Sequence, residues 1–243
     1  MPLTRFADHA DDYDSVTRIQ KQYARKLISL ALTYKDSPTN ICDLGCGTGN
    51  LGLELQSKLT AFKLTCCDTS KEMLAIAQKK LHKTNYEYSQ SSLPPSEGYD
   101  LILANFSFQW YKNLTDQLSQ CIDKLAMGGV LAFSLPVEGT FPELHLAANQ
   151  IGLKEFLPYY YTKGVLASYG KKRGFTLGEI STVKDIFPNT ISFLRELHLI
   201  GATLKSDHFS AASLRKLIRI HDKNFTGAVE AKYKVWTALY IKG

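Results

Sequence analysis

The residues best equipped for chemistry are Asp43-Leu44-Gly45-Cys46-Gly47-Thr48-Gly49, with Asp68 nineteen positions beyond the last glycine. Glycines at 45, 47 and 49 allow left-handed backbone and let a ligand lie directly against the main chain. Asp68 ends the next apolar run, where a carboxylate can accept hydrogen bonds from both hydroxyls of a ribose. Asp43 precedes the loop, where a carboxylate opposes a phosphate and suits an ammonium. Dinucleotide loops read Gly-x-Gly-x-x-Gly and admit a pyrophosphate. Here the third glycine arrives one residue early. The set therefore favours a ligand that carries a ribose and an ammonium together, as S-adenosylmethionine does.

Such groups need strand ends and helix starts brought to one edge of a sheet. Residues 15–34 carry Val16, Ile19, Tyr23, Leu27 and Leu30 at helical spacing. Short apolar strands are predicted over 41–44, 62–67, 86–89, 99–104 and 130–135. Helices are predicted over 50–59, 70–81 and 114–124, with Ser70 as an N-cap. Leu93-Pro94-Pro95 interrupts the third strand, and Gly128-Gly129 reads as a turn. This alternation specifies an α/β fold, a doubly wound and mostly parallel sheet. The order then changes. Residues 139–169 read as helical and aromatic, including Tyr159-Tyr160-Tyr161. A strand follows over 180–187, then helices over 189–200 and 210–222. A terminal antiparallel strand over 229–241 ends the chain. One domain is expected over 1–243. It has an N-terminal helical cap (1–34), a cofactor-binding core (35–138), a substrate-covering insertion (139–210) and a terminal helix and strand completing the sheet (211–243).

Composition narrows the class. At 243 residues the chain can bury a core without disulfides or metal. The five cysteines, at 42, 46, 66, 67 and 121, have neither disulfide-framework nor zinc-ligand spacing, so no metal is expected. They suit a reducing, cytoplasmic setting. No apolar run is long enough to span a membrane. The first residues carry Asp8, Asp11, Asp12 and Asp14 without an apolar stretch, which argues against a targeting segment. The net charge of +6 suits acidic partners or simple solubility. No dense basic run interleaved with aromatics marks a nucleic-acid site, and a monomer is expected.

The motif and its alternating units resemble the class I S-adenosylmethionine-dependent methyltransferases, with a Rossmann-like sheet. Within that class the chain is similar to the malonyl-[acyl-carrier protein] O-methyltransferases of biotin synthesis. The likeness is carried by Arg5-Phe6-Ala7 with His9, Ala10 and Tyr13. It continues in Ala104-Asn105-Phe106-Ser107-Phe108-Gln109-Trp110, in Gly139-Thr140-Phe141-Pro142-Glu143-Leu144, in Ile200-Gly201-Ala202-Thr203, and around Tyr233. The resemblance implies that Gly45, Cys46, Gly47 and Gly49 line the methionine part of the cofactor, with Asp43 beside them. Asp68 would hold the ribose, with Thr69 and Met73 beside the adenine. The acid that often ends the third strand in this class is replaced here by Ser89, followed by Gln90. Asn105 and Phe106 would face the methionine moiety, and Tyr13 and Gln20 would close over its carboxylate. Tyr13 could equally staple the first helix to the core, Met73 could be a core residue, and Trp110 is either a wall of the site or plain core.

The implied reaction is transfer of a methyl group to the free carboxylate of malonyl-acyl carrier protein. A carboxylate is ionised at neutral pH and needs no general base. No residue is therefore expected to act as acid or base, and the six scattered histidines are given no role. The acceptor carboxylate would be oriented by a cation, with Arg173, Arg195 and Lys112 as candidates beside Trp110. Lys171-Lys172-Arg173 could instead meet an acidic carrier protein. A small-molecule O-, N- or C-methyltransferase, a nucleic-acid-binding relative and a noncatalytic cofactor-binding regulator stand as alternatives.

Overall fold

A computed structural model describes residues 13–83, 85–153, 157, 160–175, 177–202 and 210–243. The elements run α1 (Arg18–Tyr34), β1 (Asn40–Leu44), α2 (Asn50–Gln56), β2 (Lys63–Asp68), α3 (Lys71–Leu81), β3 (Tyr86–Gln90) and β4 (Tyr99–Asn105). A short 3-10 turn, Phe108–Trp110, leads to α4 (Leu114–Asp123) and β5 (Leu125–Pro136). Then come α5 (Pro142–Gln150), α6 (Lys163–Arg173), β6 (Leu177–Phe187), α7 (Thr190–Leu199), α8 (Ala211–Asp222) and β7 (Val229–Ile241). The seven strands form one sheet in the order β3-β2-β1-β4-β5-β7-β6. The first five are parallel, and β7 runs antiparallel to both β5 and β6.

Alternation along β1 shows how the sheet is held. Ile41 joins the apolar layer under α1, α2 and α3. Cys42 and Leu44 point the other way, into the layer shared with α4 and with Leu166 of α6. A strand buried on both faces reads as an apolar run, as residues 101–104 of β4 do and as β1 does apart from Asp43. A third cluster lies beyond the strand ends, where α5, α7 and α8 pack against β7 and the start of α1.

The reversal in strand order between β1 and β4 places a crevice at the carboxyl ends of these strands. Some element boundaries differ from those predicted. Gly128-Gly129 lies inside β5, where the strand bulges between its pairings of Leu125 with Tyr99 and Val130 with Leu101. The strand predicted over 180–187 is β6, the outer strand of the sheet, and it begins earlier, at Leu177. The five cysteines are free and buried. Among the described residues no helix is long and apolar enough to cross a membrane.

Candidate functional site: two cavities that share a wall

The loop after β1 is shaped by what presses on it. Gly45 has φ +74°, and a Cβ there would lie 2.2 Å from Ser107 Oγ. Neither the backbone nor the space admits a side chain. Asp68 fixes the loop from β2. Its Oδ2 accepts from the Gly47 N–H at 2.9 Å, and its Oδ1 accepts from the Ser70 N–H at 2.9 Å. Each oxygen keeps a further lone pair for a ligand hydroxyl. Burial raises the Asp68 pKa, against the backbone hydrogen bonds that lower it.

A cavity of about 390 Å³ lies against this loop, lined by Tyr13, Gln20, Asp43, Gly45, Cys46, Gly47, Thr48, Asn50, Leu51 and Asn105. Asp43 is 1% exposed, and its Oδ2 has no hydrogen-bond partner. Burial, with Asp68 nearby, pushes its pKa up to about 8. An orphaned buried carboxylate oxygen is expensive unless a donor meets it. The Cys46 thiol is held neutral by its hydrogen bond with Cys66 and by burial.

Asp14 ties two of these lining residues, Thr48 and Asn50, to the approach to α1. Its Oδ1 accepts from Thr48 Oγ1 at 2.5 Å and from Asn50 Nδ2 at 2.8 Å, and its Oδ2 pairs with Lys80 of α3. Its main-chain oxygen accepts from Lys21 Nζ at 2.6 Å. Tyr13 is thereby held next to the loop, its Cε1 3.9 Å from where a Cβ on Gly47 would lie.

A second cavity of about 430 Å³ shares Tyr13 and Gln20 with the first. Phe106, Trp110, Phe141, Tyr160, Ile200 and Tyr233 supply most of its walls. Phe106 and Phe141 both have φ of 52°, a left-handed conformation that costs a non-glycine residue about 1–3 kcal/mol. Surrounding contacts hold each in place. The Phe106 N–H donates to Ser134 O at 2.8 Å, and its carbonyl accepts from Gln109 Nε2 at 2.7 Å. Phe141 packs edge-on against Phe193 and Tyr233, at ring separations of 5.1 and 4.5 Å. Tyr160 and Tyr233 are 8% and 4% exposed. Burial raises both phenol pKa values, so both stay protonated. No lysine or arginine is among the described lining residues.

A family model described as a methyltransferase domain matches residues 16–180, more than half of the chain. The chain belongs to this methyltransferase domain family. A malonyl-[acyl-carrier protein] O-methyltransferase of Acetivibrio thermocellus is 28% identical, over 94% of this chain and 88% of its own. The protein of that name from Bacillus cereus is also 28% identical, over 98% of this chain and 94% of its own. Among solved structures, the N-methyltransferase NodS of Bradyrhizobium japonicum, in complex with S-adenosyl-L-homocysteine, has a similar fold. Its TM-score is 0.52 at 13% identity, over 91% of this chain and 86% of that one.

In this methyltransferase the predicted site residues separate into groups. Tyr13, Gln20, Asp43, Gly45, Cys46, Gly47 and Asn105 meet in the first cavity. Asn105 is also tied into the fold, donating to Gln20 O at 2.9 Å and accepting from Ser134 Oγ at 2.6 Å. Gly49, φ +84°, precedes α2, with Ala77 Cβ 3.2 Å from where its own Cβ would lie. Thr69, Met73, Ser89 and Gln90 lie near the ends of β2 and β3, outside both cavities. There Gln90 donates to Thr69 O at 3.1 Å, and Met73 is 2% exposed. Phe106 and Trp110 line the second cavity. Arg195 is not brought to it. The residue faces solvent from α7, whose buried side carries Phe193, Leu194 and Leu197. Lys112 is also exposed and away from both cavities. The side chains of Lys172 and Arg173, and residues 1–12, 159 and 203, lie outside the described residues.

Sequence reasoning missed Asp14, Thr48 and Asn50 as a unit, and Tyr233 and Phe141 as walls. The Gly139–Leu144, Ile200–Thr203 and Tyr233 segments already stood out by resemblance, and four cavity residues, Phe141, Ile200, Ala202 and Tyr233, fall in them. No sequence signal pairs Asp14 with Lys80.

Proposed function

We propose that this methyltransferase uses S-adenosyl-L-methionine to esterify the free carboxylate of malonyl-[acyl-carrier protein], giving the methyl ester that primes pimeloyl synthesis for biotin. The single observation that carries the reading is the orphaned Oδ2 of Asp43 beneath a glycine cradle, in a cavity walled from a second, aromatic one. The unpaired oxygen suits an ammonium, Asp68 suits the ribose, and the glycine loop lines the cavity with bare backbone. The names of the two near-full-length relatives supply the acceptor.

When bound, the cofactor supplies a methyl group on a cationic sulfur. The chain's own residues do the rest by position. Tyr13 and Gln20 stand between the cavities, so the reactants meet at the wall these two residues share. Phe106, Trp110, Phe141 and Ile200 exclude water from the nucleophile. The Tyr160 and Tyr233 hydroxyls, kept protonated by burial, donate to the acceptor carboxylate and orient it. Neutral donors leave the carboxylate its charge, and so its nucleophilicity, which a paired arginine would partly quench. No base is needed, because the acceptor is already ionised at neutral pH.

The test is incubation of the purified protein and labelled cofactor with malonyl-, succinyl- and unacylated carrier protein. Label on the malonyl form, released by mild base, is expected. Label on a small molecule or on nucleic acid, with none on the malonyl carrier, would overturn the reading.

A further inference from the structure

The sequence of α8 holds Arg215, Lys216 and Arg219 and runs into Lys223, against one acid, Asp222. All four cations are exposed, and none forms an ion pair among the described residues. Arg215, Arg219 and Lys223 recur every four residues, so they stand one above another on a single helix face. Like charges at that spacing weaken a helix. The one acid beside the row, Asp222, accepts from Thr190 Oγ1, so the row keeps a net positive charge. Apolar side chains lie exposed beside the row. Ile191 of α7 is 61% exposed and Leu214 is 42% exposed. The row, Asp222, Ile191 and Ile218 line an open groove between α7 and α8. Arg195, one turn along α7 from Ile191, extends the positive face.

This groove is coupled to the second cavity. α8 packs on α5 and α7. α5 begins after Phe141, and α7 ends at Ile200, both of which line that cavity. From Ile191 to Ile200 is nine residues, roughly 13 Å of helix rise. A flexible prosthetic arm can bridge that distance while its protein sits in the groove.

We propose that the α7–α8 groove docks the acidic helical face of the carrier protein that delivers the acceptor, an inference that rests on the carrier-bound acceptor proposed above. The cations span about 12 Å, two turns of helix. An acidic helix laid along the groove presents carboxylates at matching four-residue spacing, and its apolar side chains meet Ile191, Leu214 and Ile218. A nucleic-acid duplex would need a broader basic surface without the apolar floor.

Two measurements separate this docking from the function it serves. The first is binding of fluorescently labelled holo-carrier protein, by anisotropy at low salt, to the full chain and to the Arg215→Glu/Arg219→Glu/Lys223→Glu variant. Binding should weaken at least tenfold in the variant, in line with loss of charge complementarity. It should persist in the Arg215→Lys/Arg219→Lys variant and fall with salt. The second is methylation of a malonyl thioester of free pantetheine, which requires no protein docking. Its rate should agree within about twofold between the wild type and the triple-Glu variant, showing that the fold is intact. Equal carrier binding by wild type and variant overturns the docking site. So does binding of duplex RNA at this row in place of the carrier. Failure of the wild type to methylate either malonyl thioester instead overturns the acceptor, and the binding measurement still judges the groove.

Discussion

At the scale of single residues, Asp43 sets the behaviour of the cofactor cavity. Burial and Asp68 raise its carboxyl pKa to about 8, so near neutrality the free protein holds it mainly protonated. An ammonium against Oδ2 favours the ionised form, and binding must then release a proton below that pH. Calorimetry at pH 6.5 in two buffers of different ionisation enthalpy should show that release. Identical heats in the two buffers would contradict it. Asp43→Asn should weaken cofactor binding roughly 10- to 100-fold, the scale of a lost charged hydrogen bond. Its effect on the free protein has the opposite sign. Because the folded pKa is raised, ionisation penalises the folded state as pH rises from the ordinary 3.8 through 8. Asn carries no such penalty, so the variant's advantage in unfolding free energy should grow over that window and level off above it.

At the scale of elements, the approach to α1 is fastened to the glycine loop and α3 through one side chain. Burial works to raise the Asp14 pKa, but hydrogen bonds from Lys80, Thr48 and Asn50 outweigh it and hold the pKa low. A depressed acid stabilises the fold above its ordinary pKa of 3.8, and that contribution disappears as pH falls through the folded value. Asp14→Ala should therefore cost about 1–3 kcal/mol at pH 7. It should also loosen Tyr13 and raise the cofactor Kd about tenfold. A stability gap between wild type and variant that is as wide at pH 3 as at pH 7 would show that the ion cluster is not the fastening. The same region shows what sequence can and cannot convey. Ser70 is legible as a cap because its partner, the Met73 N–H, is three residues away. β1, β2 and β4 are legible because burial on both faces makes their centres mostly apolar. α1 starts at Arg18 and not at residue 15, because Asp14 and Thr17 take up a turn whose anchors are Thr48, Asn50 and Lys80. Contacts over such separations leave no local pattern. β5 exceeds its apolar run for a similar reason, since Met127, in its bulged first half, is 71% exposed. The placing of β7 between β5 and β6 follows from pairing partners that hydrophobic periodicity does not specify.

At the scale of the molecule, the cofactor loop and the turn after β4 rest on different layers of the core. The cofactor loop sits over the layer with Cys46, Leu51 and Leu55, under α1 to α3. The turn that carries Trp110 is rooted in the opposite layer through Phe108. Phe133 of β5 is the hinge of that second layer. It is fully buried and meets Phe108, Phe175 and Trp236 edge-on, at ring separations of 5.2, 5.9 and 5.1 Å. These partners come from the turn after β4, the approach to β6, and β7. One ring thus joins the acceptor wall to the antiparallel edge of the sheet. Truncation by Phe133→Ala should cost about 3–5 kcal/mol, because a packed core recovers little of such a void. In urea the midpoint should fall with the slope unchanged, since the surface exposed on unfolding is nearly the same. The functional consequence should be divided as the layers are. At temperatures where the variant remains folded, cofactor affinity should stay within about twofold, since Phe133 lies in the layer opposite the one under the cofactor loop. The acceptor KM should rise by a larger factor as the Phe108–Trp110 turn relaxes. Equal losses at both sites would mean that the layers are not mechanically separate, and that the sheet transmits the void across both faces.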